Sequence, residues 1–415
     1  MTRHQVLALA AFHLGALIPP ASAQTQPVAL QGGRLLTITQ GVVEGGTIIL
    51  EAGRIAAVGS DISIPSGAQI IDVSGMTIMP GLIDGFTNLG AADLPSRGKD
   101  DDEATDPVTP HLRIVDAINP QNRFIAAARS LGITAVLCAP ADGNLLSGQS
   151  ALVHLAGATV EEMVISSPVG IHLSLGEAPK RYGERNRAPM TRMGSAALLR
   201  QTLVDAKGLS EKLALHERKL AAYRAGEEED EPSPPERNLK LEALLPVVRG
   251  EKPLIVSADR FDDIHTALRI AAEFEVRLIL NHGAEAHRVT EELSEQGIPV
   301  LWGPSSAAFK ELESERGTPA TPKSLAEVAV PFAFQTGSTE NLAGLLNQAR
   351  AAVIHGLAYE EALKGLTIYP AQIFGVADHF GSLEVGKSAD VAVFDGDPLQ
   401  ELSKVEMVFI EGVRY

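Results

Sequence analysis

Apolar runs with the length of β-strands alternate with helical stretches through the middle of the chain. The strand-like runs lie at 133–139, 169–175, 253–258, 277–280, 298–301 and 331–335, and the clearest helical stretches lie at 262–274, 289–296 and 339–355. This alternation predicts a parallel sheet whose strands are joined by helices. At this length the common closed form is a (β/α)₈ TIM barrel, so the predicted fold class is α/β.

The two ends of the chain share a different texture. Short strand-like runs at 34–38, 47–50, 54–58 and 69–73 are separated by glycine-rich and proline-rich turns, and two more runs follow at 390–394 and 404–410. Each group alone would leave its apolar strand faces uncovered. We therefore predict that residues 24–76 and 381–415 form one small composite β-sandwich domain, with residues 77–380 as the barrel.

The first 23 residues have the pattern of an export signal. Arg3 and His4 precede a largely apolar run at 6–18, and the small residues at 21–23 form a cleavage site before Gln24. The alternative is a retained membrane anchor, but a span needs about 20 apolar residues and this run is shorter. The sequence predicts a signal peptide over 1–23 and an exported protein, periplasmic or secreted.

The charge and the cysteine count exclude several classes of partner and site. The formal net charge is −17, which argues against binding to nucleic acid or to an anionic membrane surface. Cys138 is the only cysteine, so neither an internal disulfide nor a multi-cysteine metal site can form. The sequence thus predicts no nucleic-acid partner and no membrane contact after signal cleavage.

Two segments of the chain carry a family resemblance. Residues 70–84, ending in Pro80-Gly-Leu-Ile-Asp84, resemble the segment that leads from the β-domain into the first barrel strand of amidohydrolases. Residues 380–395 resemble the segment that returns the chain to the β-domain, and residues 116–120, 176–181 and 284–286 resemble the exported imidazolonepropionase-like branch. The match covers nearly the whole mature chain.

The resemblance implies a site for one or two divalent metal ions, zinc above all, at the carboxyl ends of the barrel strands. Most of the implied ligand positions hold residues that ligate such ions poorly or not at all. These positions are Phe86 and Asn88 on strand one, Ser257 on strand five and Gly337 on strand eight, while His172 stands where a bridging lysine would fall on strand four. Only His282, at the strand-six position, keeps a ligand type. The resemblance thus leaves either no metal or a single weakly bound divalent ion.

Acidic residues near the predicted strand ends are candidates for metal-free acid–base chemistry. The candidates are Asp259, Glu285 and Glu177, with His287 as a further binding residue five positions after His282. Salt bridging to neighbouring lysine and arginine residues would explain the same carboxylates without any catalytic role.

Two functions remain open from the sequence. The resemblance implies a hydrolase of carbon–nitrogen bonds, other than peptide bonds, in cyclic amides or similar small molecules. The loss of ligand positions favours instead a non-catalytic barrel that binds a small ligand, or a partner subunit of an intact amidohydrolase. A homo-oligomer is compatible with either function.

Overall fold

A computed structural model describes residues 26–92, 99–304 and 313–415. The predicted signal peptide lies outside the described residues. The strands, in chain order, are β1 Val28–Leu36, β2 Val42–Glu51, β3 Arg54–Gly59, β4 Gln69–Asp72, β5 Thr77–Pro80, β6 Leu82–Thr87, β7 Ile133–Cys138, β8 Leu146–Gln149, β9 Ala151–His154, β10 Val164–Ser166, β11 Ile171–Ser174, β12 Leu254–Ala258, β13 Leu278–His282, β14 Val300–Trp302, β15 Phe332–Phe334, β16 Val391–Phe394, β17 Val405–Ile410 and β18 Val413–Arg414.

Helices fill most of the connections in the middle of the chain. They are α1 Arg123–Arg129, α2 Val160–Met163, α3 Arg192–Ala225, α4 Leu239–Val248, α5 Phe261–Phe274, α6 Thr290–Glu295, α7 Thr321–Glu327, α8 Gly344–Ile354, α9 Tyr359–Leu366 and α10 Ile368–Ile373. Within the described ranges, no helix combines the length and the hydropathy that a membrane crossing requires.

Strands from both ends of the chain share one eight-stranded sheet. Its order is β18-β17-β16-β5-β1-β2-β3, and β4 also pairs with β1. The two ends meet where β16 runs antiparallel to β5, with Val391 opposite Pro80. Leu30, Ile48 and Phe409 pack in one buried core, so the N-terminal and C-terminal segments bury each other's apolar faces. The sheet includes β5, which the predicted boundary at residue 76 had placed on the barrel side, and a second sandwich layer stays a prediction.

The middle of the chain forms two further sheets that meet at one continuous stretch. One sheet has the order β10-β9-β7-β6 and the other the order β15-β14-β13-β12-β11-β8. Because β8 and β9 are separated only by Ser150, residues 146–154 act as one strand that belongs to both sheets. β6 and β15 are the end strands of these two sheets. The Gly337 amide donates to the Phe86 carbonyl at 3.0 Å, which brings the segment after β15 against β6.

One strand of this assembly differs from the predicted parallel order. β9 runs antiparallel to β7, and β8 runs antiparallel to β11. The physical reason is the connection after β7, which consists of residues 139–145 alone. A parallel crossover with a helix needs about a dozen residues, so this short turn can only form a hairpin. β6 and β7, and likewise β11 to β15, are parallel as predicted.

Candidate functional site

Five side chains meet at the edge where the parallel strands end, which we call the carboxyl edge. β6, β11, β12 and β13 bring one of them each, and the hairpin turn after β7 brings the fifth. We call these residues the edge cluster: Phe86, Asp142, His172, Ser257 and His282.

Asp142 and His282 form an ion pair at the centre of the edge cluster. His282 Nε2 lies 2.7 Å from Asp142 Oδ2, and His282 Nδ1 lies 2.9 Å from the carbonyl oxygen of Gly303. The His282 side chain is 18 % exposed and the Asp142 side chain is 30 % exposed. Both side chains are therefore partly accessible to solvent.

The electrostatics of the pair keep both partners charged. Burial alone would lower the pKa of His282, but the charge and hydrogen bond of Asp142 raise that pKa to about 10. Burial would likewise raise the pKa of Asp142, but the His282 imidazolium and the Ser257 hydroxyl hold it below its usual range. At neutral pH the edge cluster thus contains an imidazolium and a carboxylate.

His172 is the neutral imidazole of the cluster. It is 1 % exposed, and neither ring nitrogen has a hydrogen-bond partner among the described residues. Burial lowers the pKa of His172 to about 3, against the opposing charge of Asp142. Phe86 lies between the two imidazoles, with ring centroids 5.5 Å from His172 and 5.7 Å from His282. The phenyl ring keeps this side of the cluster apolar.

Asp84, two residues before Phe86, is fully buried and joins β6 to the segment after β15. Its carboxylate accepts hydrogen bonds from the Thr336 amide at 2.9 Å and the Thr336 hydroxyl at 2.6 Å. Burial raises the pKa of Asp84 to about 7, although the bonds from Thr336 and from the Phe86 amide oppose this shift. The residue fixes the backbone that presents Phe86.

Asn88 and Gly337 also join the end of β6 to the segment after β15. Asn88 donates to Asp101 at 2.8 Å and accepts from the Thr339 amide at 2.9 Å, so its amide is occupied by structural bonds. Gly337 has a φ of +74°, and an added Cβ would lie 3.0 Å from Pro304. Any side chain at position 337 would be strained and crowded in this backbone conformation.

The predicted carboxylates lie in structural contacts outside the edge cluster. Asp259 accepts from the Ala284 amide at 3.0 Å, and Glu285 accepts from the Phe261 amide at 3.2 Å at the start of α5. Glu177 pairs with Arg192 at 2.6 Å and borders a separate rim cavity of about 590 Å³. His287 lies 3.3 Å from the Thr321 hydroxyl. Their catalytic or binding roles stay predictions.

Several polar residues of the site were not identified from the sequence. Asp142 follows β7 on the hairpin turn, and Ser174, at the end of β11, donates to it at 3.2 Å. Asn281 and Gln335 lie within or just after buried strands and are fully buried themselves. A polar residue inside an otherwise apolar run was the available indication for Asn281.

The chain is similar to proteins of known structure and to a known protein family. The chain is 35 % identical to an amidohydrolase from Thermotoga maritima of known crystal structure, with a TM-score of 0.85 over 93 % of this chain and 99 % of that one. The chain belongs to the amidohydrolase family. The sequence pattern described as the amidohydrolase family also matches residues 239–414.

Curated relatives of the amidohydrolase family are more distant. Amidohydrolase tasK of Hapsidospora irregularis is 27 % identical over 88 % of this chain, but the chain spans only 39 % of that protein. The imidazolonepropionase of Brevibacillus brevis is 26 % identical over 92 % of this chain and 90 % of its own length. The predicted resemblance is thus confirmed at the level of the family.

Amidohydrolases usually bind zinc or another divalent metal. A zinc site needs three protein ligands with an open position. The Nε2 face of His282, from which such an ion would be bound, is taken by Asp142 at 2.7 Å, while Phe86 has no donor atom. In the described part of the chain, no group of three or more histidine, cysteine or acidic residues is arranged to hold a metal.

We expect the purified protein to carry far less than one equivalent of zinc after dialysis against a weak chelator. The reason is that a metal would have to displace Asp142 from a protonated His282. Elemental analysis of the wild type and of His282→Ala measures this, with His265→Ala as a matched control on an exposed helix face. One equivalent of zinc in the wild type that disappears in His282→Ala would contradict the expectation.

Proposed function

We propose that this amidohydrolase-family protein binds a cyclic amide or a similar small molecule with carbon–nitrogen bonds at the carboxyl edge. The observation that carries the proposal is the partly exposed Asp142–His282 ion pair. It is a pair of opposite charges at the strand ends, where barrel folds of this kind bind their ligands. The closed barrel itself is part of the proposal.

The pair is suited to a ligand that carries an N–H group next to a carbonyl. A carboxylate offers about four lone-pair sites. Asp142 receives hydrogen bonds from His282, Ser257 and Ser174, which leaves room for one N–H donor from a ligand. The adjacent imidazolium attracts the carbonyl oxygen of the same amide through its charge. Phe86, which is 4 % exposed, keeps the interior behind the pair apolar.

Hydrolysis of the carbon–nitrogen bond is the second candidate, and it has its own support. The chain matches nearly all of the Thermotoga amidohydrolase, and His172 offers a neutral imidazole whose nitrogens are unpaired in the described structure. An imidazolium held in place beside a carbonyl would also stabilise negative charge that develops on its oxygen. We also propose that the protein is exported and that its signal peptide is cleaved before Gln24. Pairing with a second copy, or with an intact amidohydrolase, is a further proposal.

The binding test uses calorimetric titration with hydantoin, a simple lactam and a dipeptide. We expect at least one ring compound to bind the wild type and His265→Ala alike, and to bind His282→Ala and Asp142→Asn about tenfold more weakly, a change of about 1.4 kcal/mol. The thermal midpoint of each variant confirms folding. Binding that is unaffected by both cluster substitutions would mean that the ligand site lies elsewhere.

The same mixtures separate the two candidates. Mass spectrometry after prolonged incubation detects ring opening of the bound compound. Product that accumulates with the wild type and His265→Ala, but not with His172→Phe, supports the hydrolase. Tight binding without product supports the binding protein.

A further inference from the structure

A line of buried polar side chains crosses the interior of the strand assembly and ends at Asp142. Gln335 Nε2 donates to Asn281 Oδ1 at 2.9 Å, and Asn281 Nδ2 donates to the Ser257 hydroxyl at 2.8 Å. The Ser257 hydroxyl in turn donates to Asp142 Oδ1. We call these residues the polar chain: Gln335, Asn281, Ser257 and Asp142.

The direction of every bond in the polar chain follows from its first member. Gln335 Nε2 also contacts the backbone carbonyl of Leu301 at 2.6 Å, and a carbonyl can only accept a hydrogen bond. The amide nitrogen of Gln335 must therefore lie on that side, and it meets the oxygen of Asn281. The nitrogen of Asn281 then faces Ser257.

The last bond is fixed for the same reason. Because the Ser257 oxygen receives a hydrogen bond from Asn281, its own proton points to Asp142. Asp142 Oδ1 therefore receives two hydrogen bonds, from Ser257 and Ser174, while Asp142 Oδ2 faces His282 Nε2. Because the carbonyl oxygen of Gly303 can only accept, His282 Nδ1 carries a proton. Two donors on Oδ1 stabilise the ionised carboxylate, which favours the proton of the Asp142–His282 bond on Nε2.

We propose that Asn281 and Gln335 are positioning residues that turn the Ser257 hydroxyl toward Asp142 and so hold the proton of His282 between Nε2 and this carboxylate. This inference deepens the proposed function and rests on it, because the Asp142–His282 pair is the group that we propose to contact the ligand. It also assigns a proton on His282 as the positive charge of the site.

The burial of the polar chain argues that these residues have a task besides filling space. Asn281 and Gln335 are 0 % exposed, and Gln335 Oε1 has no partner in the described structure. A buried amide group left unpaired costs about 1–3 kcal/mol, so apolar residues would fill this space at lower cost. If the amides only filled the core, their substitution would change stability and leave the His282 proton untouched.

The test is proton NMR of ligand-free protein labelled with ¹⁵N-histidine. A proton held between an imidazolium and a carboxylate resonates downfield of the amide protons and exchanges slowly. We expect such a signal from His282 in the wild type and its loss in Asp142→Asn. In Asn281→Asp the new carboxylate can only accept, so the Ser257 hydroxyl turns away from Asp142 and the signal shifts or broadens.

Asn122→Asp is the matched control, because Asn122 is also buried at 3 % exposure and bonded on both sides, but it lies outside the cluster. It should lower the thermal midpoint and leave the His282 signal at its wild-type position. Ser257→Ala should reproduce the effect of Asn281→Asp, and Ser257→Thr, which keeps the hydroxyl, should restore the signal. These two variants keep the inference testable if Asn281→Asp does not fold.

Two results would overturn the inference. One is the absence of the downfield signal in the wild type, and the other is an unchanged signal in both Asn281→Asp and Ser257→Ala. Since no ligand is present, either result is independent of whether the proposed ligand binds. Conversely, a failed titration with ring compounds would leave the NMR result standing.

Discussion

Removing the chain after Phe380 should abolish folding of the whole protein. The missing segment contains β16 and β17, which cover one edge of β5 in the composite sheet. Its buried side chains include Val391, Val393, Phe394 and Phe409. Burial of each such side chain contributes about 1.5–3 kcal/mol, and a typical domain has only about 5–15 kcal/mol in total. The loss of these four side chains alone removes about 6–12 kcal/mol, which is comparable to that whole margin.

The truncation is measured by soluble yield, near-ultraviolet circular dichroism and cooperative thermal melting. A chain that ends after Ile410 is the control, because it keeps β16 and β17 and loses only β18. We expect the control to fold with a reduced midpoint. A cooperative transition in the longer truncation would show that the two ends do not depend on each other, and the composite domain would then be wrong.

His154→Ala should lower the free energy of unfolding by about 3–5 kcal/mol, which is the range for breaking one partner of a buried ion pair. His154 Nε2 on β9 lies 2.9 Å from Asp390 Oδ2, just before β16, with both side chains less than 10 % exposed. Asp390 also accepts from the Ser388 hydroxyl at 2.7 Å and the Glu411 amide at 3.0 Å. The substitution leaves that carboxylate buried without its cation.

The contribution of this pair depends on pH in a defined direction. Burial alone would lower the pKa of His154, but the charge and hydrogen bond of Asp390 raise it above its usual value. The stabilisation is therefore complete below the unfolded pKa of about 6.5 and is lost as the pH rises through the higher folded value. For Asp390, burial is outweighed by the charge of His154, which lowers its pKa. The stabilisation that ionised Asp390 contributes is complete above about pH 4 and is lost as the pH falls through the lower folded pKa.

Urea unfolding of the wild type and His154→Ala between pH 4 and pH 9 measures the difference. We expect that difference to be largest between about pH 4 and 6.5 and to shrink above it. His265→Ala, on an exposed face of α5, is the control and should differ little from the wild type at any pH. A difference that stays constant across the range would show that the pair is not charged in the folded protein.

Much of the fold could be predicted because the strands and helices have distinct periodicities. The expected helix at 262–274 is α5, Phe261–Phe274, and the expected strand at 253–258 is β12, Leu254–Ala258. The reversed direction of residues 146–154 could not be predicted, since a buried strand is an apolar run in either direction. Only the length of the preceding turn carries that information.

Four of the five residues of the edge cluster could be predicted from the sequence. Phe86, His172, Ser257 and His282 were identified from ligand positions that the family resemblance assigns, and the structure brings them together. Asp142 holds no such position, because it lies on a hairpin turn that a regular strand–helix repeat does not contain. Asn281 and Gln335 act through the partners they orient, and hydrogen-bond direction can be determined only when the atoms on both sides are known.

The hairpin after β7 also determines where this protein can tolerate changes in length. Surface loops generally tolerate insertions, because the entropy of closing a loop grows only slowly with its length. Residues 139–145 join two strands whose register is set by pairing, with Cys138 opposite Ala151. One added residue in this turn would slip the strand or move Asp142 away from His282. The turn therefore leaves evolution or design little freedom to add or remove residues without moving Asp142.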